Sequence, residues 1–406
     1  MIVTWLDGRD NSWFNDLYAQ RVDANGAIQW PANGVRIIPT DAMTDASAAS
    51  DGSGGLLVAW VAGLSGDGDI SAMRLAGDGS VATGWGPAGV VVCNNVDNQM
   101  NPVIASDGAG GAVVAWTDLR GVEQHIYAQR VDASGVVQWT ANGIQVDPAG
   151  GYGVSLLPAG GGDTFAFWAS VGAVYGQRLD NAGAPQWAAS GVTVYPGGGD
   201  GQPDGDVLSA PDGLGGAIVA WPASGTGIEG TWSQRVDGAG ANQWGTNGVG
   251  IVSLPTGHLP LSIDVAADGS GGGLFAWERR IDTSSGFHTD VYVQRVSAAG
   301  SPLLAANGVD VAATPERQRG PRVAPDGEGG FVVSWRDDRS FDEEIFTQRF
   351  DAAGVAQFPG DGVASFSNPG VQVAPLLAAD RRRRNTRGME REAQRPVRHP
   401  RPKAER

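Results

Sequence analysis

Three loops of this 406-residue chain share the pattern Trp-x-Asp-x-Arg, placing Asp7 with Arg9, Asp118 with Arg120, and Asp337 with Arg339. An acid and a base two residues apart can pair with each other across a loop, or can form a rim that takes a ligand or cation. These six residues are therefore the candidate binding residues. Acidic side chains also stand just before later apolar segments, at Asp16, Asp69, Asp290 and Glu344. Other chemistries lack their parts. The four histidines, His125, His258, His288 and His399, fall at unrelated places, and no His-Glu-x-x-His, Gly-x-Ser-x-Gly or phosphate-binding Gly-Lys-Ser/Thr pattern occurs. Asp67-Gly68-Asp69 does not complete a calcium loop. The single cysteine, Cys93, excludes an internal disulfide and a cysteine-based zinc or iron–sulfur site, and reads as a small apolar filler. No catalytic residue, metal or cofactor is assigned on this basis. Carboxylates that meet across a channel keep a glycosidase or lyase open as the alternative.

The elements that would position these residues form a repeat. A tryptophan ends an apolar run at Trp5, Trp60, Trp116, Trp168, Trp221, Trp277 and Trp335, and Gln-Arg follows in six of the seven intervals, with Met73-Arg74 in the other. A fixed period decides architecture before local detail does. In the third repeat, Pro102 to Ser106 is extended, and Asp107 to Gly111 (DGAGG) is a hairpin loop whose glycines accept positive φ. Ala112 to Trp116 (AVVAW) is a strand apolar on both faces, so it needs cover on both. Ile126 to Asp132 is a third strand, Ala133 to Gly135 a turn, and Val136 to Trp139 (VVQW) a fourth strand, with Asn142-Gly143 as a further turn signal. No segment has a sustained 3.6-residue apolar period, so little helix is expected. Seven repeats of four antiparallel strands predict an all-β, seven-bladed β-propeller, whose radial closure leaves no long open sheet edge. The seven tryptophans read as packing between blades, and the arginine of Gln-Arg as a structural partner within or between blades. A residue needed once for catalysis would not recur seven times.

The segments DGAGGAVVAW, IYAQRVDASG and QWTANG resemble bacterial secreted or cell-surface propeller repeats of the delta-sixty type over residues 1 to about 377. DASGVVQW (Asp132 to Trp139) is similar to the tryptophan motif of pyrroloquinoline-quinone propellers. The resemblance implies a propeller and a secreted or cell-surface location. It leaves the ligand open.

Composition agrees with a folded, turn-rich body: 63 Gly supply turns, while 14 Trp and 41% apolar residues suffice for a core. Residues 1 to 380 carry 17 arginines, no lysine and 41 acidic residues, a charge that argues against nucleic acid and anionic membranes as partners. No apolar run is long enough for membrane insertion by a helix. Residues 381 to 406 are instead strongly basic. Two domains are expected: residues 1–378 as the propeller, and 379–406 as a disordered basic tail. Where Asp380 should be followed by Gly-x-Gly-Gly and a tryptophan, the sequence runs RRRRNTRGM. Read from the second base of each codon, Met389-Glu390 becomes Trp, nine positions after Asp380, so the tail is expected to be a frameshifted further repeat. Asn368 to Leu377 (NPGVQVAPLL) matches the first strand of a repeat and is expected to pair beside Ile2 to Trp5, closing the ring. The function expected from seven similar blades is a non-catalytic binding or spacer module, monomeric within a larger chain, with an unidentified protein or carbohydrate ligand. The alternative is a propeller enzyme, either a glycosidase or lyase or a quinone-dependent oxidoreductase.

Overall fold

A computed structural model describes residues 2–7, 16–23, 27–37, 43–63, 68–199, 201–224, 228–255, 260–283, 286–312, 314–339 and 344–364. The described residues contain no helix and form seven antiparallel sheets, the blades of a seven-bladed β-propeller. The third blade shows the standard order: an inner strand Gln99–Ser106, a second strand Ala112–Asp118, a third strand His125–Val131 and a short outer strand Ile144–Gln145. The second, fourth, sixth and seventh blades repeat this four-strand meander. In the fifth blade the inner strand is split into Gln202–Pro203 and Leu208–Pro211, both paired with Ala217–Ser224. The first blade has three described strands, Ile2–Asp7, Asp16–Arg21 and Val35–Arg36. The expected closing strand at Asn368 to Leu377 and the basic tail lie outside the described residues.

From the second blade to the seventh, the apolar core of the second strand is buried on both faces, as its unbroken apolar run requires, whereas Trp5 of the first blade is half-buried. Trp116, Trp168, Trp221, Trp277 and Trp335 are at most 1% exposed, and each packs with apolar residues of an adjoining blade. Burying an indole removes about 150–250 Å² from water. Gly143 shows why the turn after each outer tryptophan is glycine: its φ is +85°, and an added Cβ would stand 2.6 Å from the Trp116 ring and 2.8 Å from the carbonyl of Ala128.

The Gln-Arg pair holds the blades together. Arg130 bonds Asp107 through Nε and Nη2 at 3.1 and 2.8 Å, and Arg74, Arg235, Arg295 and Arg349 grip the equivalent Asp51, Asp212, Asp268 and Asp326. The aspartate in turn caps its own hairpin loop, Asp107 Oδ1 accepting from the amides of Ala109 and Gly111. A second nitrogen reaches the next blade, as in Arg74 Nη1 to the Gly110 carbonyl at 2.8 Å and Arg295 Nη1 to Gly329 at 2.9 Å. Burial alone would raise the carboxyl of Asp51, but hydrogen bonds from Ser53 and Arg74 outweigh it and hold Asp51 at about 2.

One assignment differs from the sequence reading. VVQW is not the fourth strand; it touches the third strand through a single bridge, Val131 with Val137, and the outer strand follows the Asn-Gly turn. The reason is Gln129. Its side chain accepts from the Trp139 amide at 2.8 Å and donates to the Thr140 carbonyl at 2.9 Å, taking the place of strand pairing. Trp139 then donates its Nε1 to Asn181 of the next blade.

Candidate functional site

The turns from second to third strand lie on one face of the disc, here called the upper face. In the third blade, Trp116 Nε1 donates to Asp118 Oδ2 at 2.8 Å, Arg120 Nε donates to Asp118 Oδ1 at 2.8 Å, and the guanidinium sits 3.7 Å over the Tyr127 ring. Arg120 Nη2 also bonds the Asn142 carbonyl at 2.9 Å. The seventh blade repeats the clasp with Trp335, Asp337, Arg339 and Phe346, the cation 3.8 Å over the ring. Asp118 and Asp337 have no exposed side-chain surface. The geometry thus unites Asp118 with Arg120 and Asp337 with Arg339 as internal pairs. Asp7 ends the first strand, but its side chain and all of Arg9 lie outside the described residues.

The sixth blade breaks this pattern. Its second and third strands, Gly273–Thr283 and Gly286–Val296, run eleven residues each against seven in the third blade, and the extra length projects from the upper face. The clasp aspartate is replaced by Arg279, whose guanidinium lies 5.1 Å from the Tyr292 ring centre. Trp277 Nε1, deprived of its acceptor, is buried without a hydrogen-bond partner. Directly opposite Arg279 in the strand register is Asp290. His288 Nε2 is 3.3 Å from Asp290 Oδ1, an ion-pair contact that leaves that buried oxygen without an aligned donor. Burial, reinforced by the nearby Asp310, pushes the Asp290 carboxyl up to about 6, against the opposing pull of His288 and Arg279. Burial likewise pushes the Tyr292 hydroxyl up, with Asp310 adding to the effect, so that the phenol stays protonated at neutral pH.

The other side of the same hairpin faces the seventh blade. Phe287, 44% exposed, has Arg280 at 4.3 Å and Arg317 at 4.9 Å from its ring centre. Arg319 donates to both oxygens of Asp338. Buried Gln318 fixes the junction, accepting from the Val291 amide, while its carbonyl accepts from the Thr289 hydroxyl and Glu278 accepts from the Gly320 amide. Among the described residues no group of three or more histidine, cysteine or acidic side chains could hold a metal ion.

Sequence reasoning named Asp290 and His288 without joining them, and missed the arginines. The signal was present. Of the 17 arginines in residues 1–380, seven belong to the Gln-Arg or Met-Arg positions and three to Trp-x-Asp-x-Arg; of the other seven, all but Arg36 fall at 279, 280, 317, 319, 322 and 336. Subtracting the repeat isolates the cluster. The remaining described histidine, His125, is bound to buried Asp147 at 3.0 Å in the third blade.

No family model and no curated protein matches this chain. Solved structures share its fold. A polysaccharide lyase, the PL25 ulvan lyase bound to GlcA(1-4)Rha3S, is 12% identical with a TM-score of 0.51, the match covering 75% of this chain and 80% of that one. A second structure of PL25 ulvan lyase gives 0.50 with the same identity and coverage. An endo-1,5-alpha-L-arabinanase from Thermotoga petrophila RKU-1 is 10% identical, with a TM-score of 0.37 over 78% of this chain and 94% of that one. At 12% identity, the likeness to the ulvan lyase supports the propeller fold and nothing finer. The expectations of a non-catalytic binding or spacer module, and of no enzymatic activity, are corrected here. The propeller that it resembles at a TM-score of 0.51 is a polysaccharide lyase, and the sixth and seventh blades hold side chains that no other blade repeats among the described residues, which the premise of seven equivalent blades had excluded. The enzyme alternative fits both findings better.

Proposed function

We propose that the chain is a propeller lyase that cleaves an anionic, uronate-containing polysaccharide at the upper face of the sixth and seventh blades. The carrying observation is Arg279, an arginine outside the repeat, set beside His288, Asp290 and Tyr292, with Arg280 and Arg317 on the other side of the same hairpin, in a body that is otherwise strongly acidic. A guanidinium pairs naturally with a carboxylate, and Arg279 neutralising a uronate carboxylate makes the adjacent C5 proton removable. His288, oriented by Asp290, takes that proton; the C4–O bond breaks as the C4–C5 double bond forms. Protonated Tyr292 gives its proton to the departing oxygen. On the other side of the hairpin, Phe287 with Arg317 and the Asp282-paired Arg280 forms a separate cationic and aromatic surface, which a longer polymer would reach only by passing over the hairpin tip. The lyase with solved structure acts on ulvan by name and was bound to a glucuronate-containing saccharide, which supports the same substrate class here. The secreted or cell-surface location and the delta-sixty resemblance belong to this proposal and are compatible with an extracellular polymer.

A second reading has its own observation. Asp290, raised to about 6 beside Asp310, has the form of a carboxyl general acid with a neighbouring carboxylate, the pair that a glycosidase uses. The purified chain is incubated with glucuronate- and iduronate-containing polysaccharides, following the ultraviolet absorbance of the unsaturated uronate and, in parallel, new reducing ends. Both rising together supports the lyase. Reducing ends without absorbance transfers the site to glycoside hydrolysis, and neither signal across the acidic polymers overturns the lyase reading.

A further inference from the structure

The fourth blade contains the clasp with its charged half removed. At the positions of Asp118 and Arg120 the sequence has Ser170 and Gly172, while the aromatic floor persists: Trp168 and Tyr175 stack at 6.3 Å with 25° between planes, as Trp116 and Tyr127 do at 6.4 Å and 25°. In the third and seventh blades a guanidinium covers the corresponding ring. Among the described residues no cation covers Tyr175. The space is a pocket of about 260 Å³, lined by Trp168, Tyr175, Ser170, Ser190, Thr193 and Pro148 among others. It adjoins a second depression of about 290 Å³ that shares Ala149, Gly150 and Ser170 with it and reaches Glu123, Gln124 and Tyr152. Among the described residues, Trp168 Nε1, the donor that serves the aspartate in the intact clasps, has no hydrogen-bond acceptor, and the Ser170 hydroxyl has no partner either.

We propose that this pocket binds a neutral pyranose ring. A tyrosine face freed of its cation offers a surface for the C–H bonds of a sugar, and the hydroxyls of Ser170, Ser190 and Thr193 with the indole N–H supply polar partners of both kinds. Pockets of this sort fix orientation with a few polar groups on an apolar base. The chemistry also decides against other occupants. A guanidinium of a ligand would find the ring but no carboxylate in the lining of this pocket, since the acid of the clasp is Ser170 here and the nearest one, Glu123, belongs to the adjoining depression. A uronate or sulfated sugar would find no arginine lining it. The inference deepens the polysaccharide reading by placing a subsite for an uncharged sugar on the same face as the cationic centre, two blades away.

The test measures binding alone, on the whole chain, so that it stands or falls separately from catalysis. Methyl glycosides of neutral pyranoses, methyl glucuronide and arginine methyl ester are titrated against the wild type and against His288→Ala, using saturation-transfer NMR and tyrosine and tryptophan fluorescence. Millimolar binding of at least one neutral glycoside, equal in the two proteins, supports the subsite even if no lyase activity is found. Thr193→Ala and Ser190→Ala, at exposed positions, should each weaken it about threefold to tenfold. Ser170→Asp should weaken the sugar further and introduce affinity for the arginine ester. Preference of the wild type for the arginine ester or the glucuronide overturns the proposal. Absence of binding by every neutral glycoside, or binding indifferent to all three substitutions, does so as well.

Discussion

The third and sixth blades place the same tryptophan on the same strand and surround it in opposite ways. In the third, Trp116, Asp118, Arg120 and Tyr127 satisfy one another: the indole has its acceptor, the carboxylate its cation and the cation its ring. In the sixth, Arg279 stands where the aspartate would be, Trp277 Nε1 has no partner, and Asp290 is held near 6 beside His288. A closed network of charges stabilises a blade and offers nothing to a ligand. An open one is unfavourable for the isolated protein and available for chemistry, which is where perturbed groups collect in functional sites. In this propeller the repeat describes the scaffold, and departure from the repeat marks the proposed site.

The comparison can be broken most decisively at the ends of this contrast. His288→Ala should reduce lyase turnover by about 10²- to 10⁴-fold while leaving the unfolding midpoint in place; retained activity would remove the sixth blade from the mechanism. Trp116→Ala should act the other way, lowering stability by about 3–5 kcal/mol in denaturant unfolding through the cavity that it opens.

The clasp position itself sharpens the contrast. Asp118→Ala leaves the Arg120 cation and the Trp116 donor buried without their acceptor, and should destabilise by about 3 kcal/mol. Arg279→Ala at the equivalent position should change stability by less than about 1 kcal/mol yet raise KM for the polymer. Equal effects on stability would mean that both blades are structural.

The remaining effect is pH-dependent. Asp290 binds its proton more tightly in the folded chain, at about 6, than at its ordinary value of 3.8. The stability that this group contributes is therefore complete below about pH 4 and is lost as pH rises through 6. Asp290→Asn should raise stability by about 2 kcal/mol at pH 8 and by little at pH 4, measured by thermal unfolding across that range. A gain that is the same at both pH values would show that the carboxyl is not perturbed.

Much of the scaffold was legible beforehand. The period of the tryptophans gave the blade count, the apolar run AVVAW gave a strand buried on both faces, and the recurrence of Gln-Arg marked it as structural. Gln129 defeated the fourth-strand assignment because VVQW has the composition of a strand, while its backbone partners are taken by a glutamine side chain ten residues earlier in the chain. The clasp residues were visible as a motif, but the motif alone did not say that Asp118 and Asp337 would be buried.

The sequence by itself determined what depends on neighbours along the chain: strand period, hairpin loops, the number of blades and the acidic charge of the body. Those follow from side-chain alternation and backbone preference, which act over a few residues and repeat whenever the residues do. The tertiary structure decided what depends on neighbours in space. It set Asp290 beside His288 and Asp310, aligned Arg280 and Arg317 on Phe287 from different blades, and left Tyr175 uncovered where Tyr127 is capped. Desolvation and charge pairing act through space over a few ångströms, and residues thirty apart in sequence come within that range only when the blades have packed.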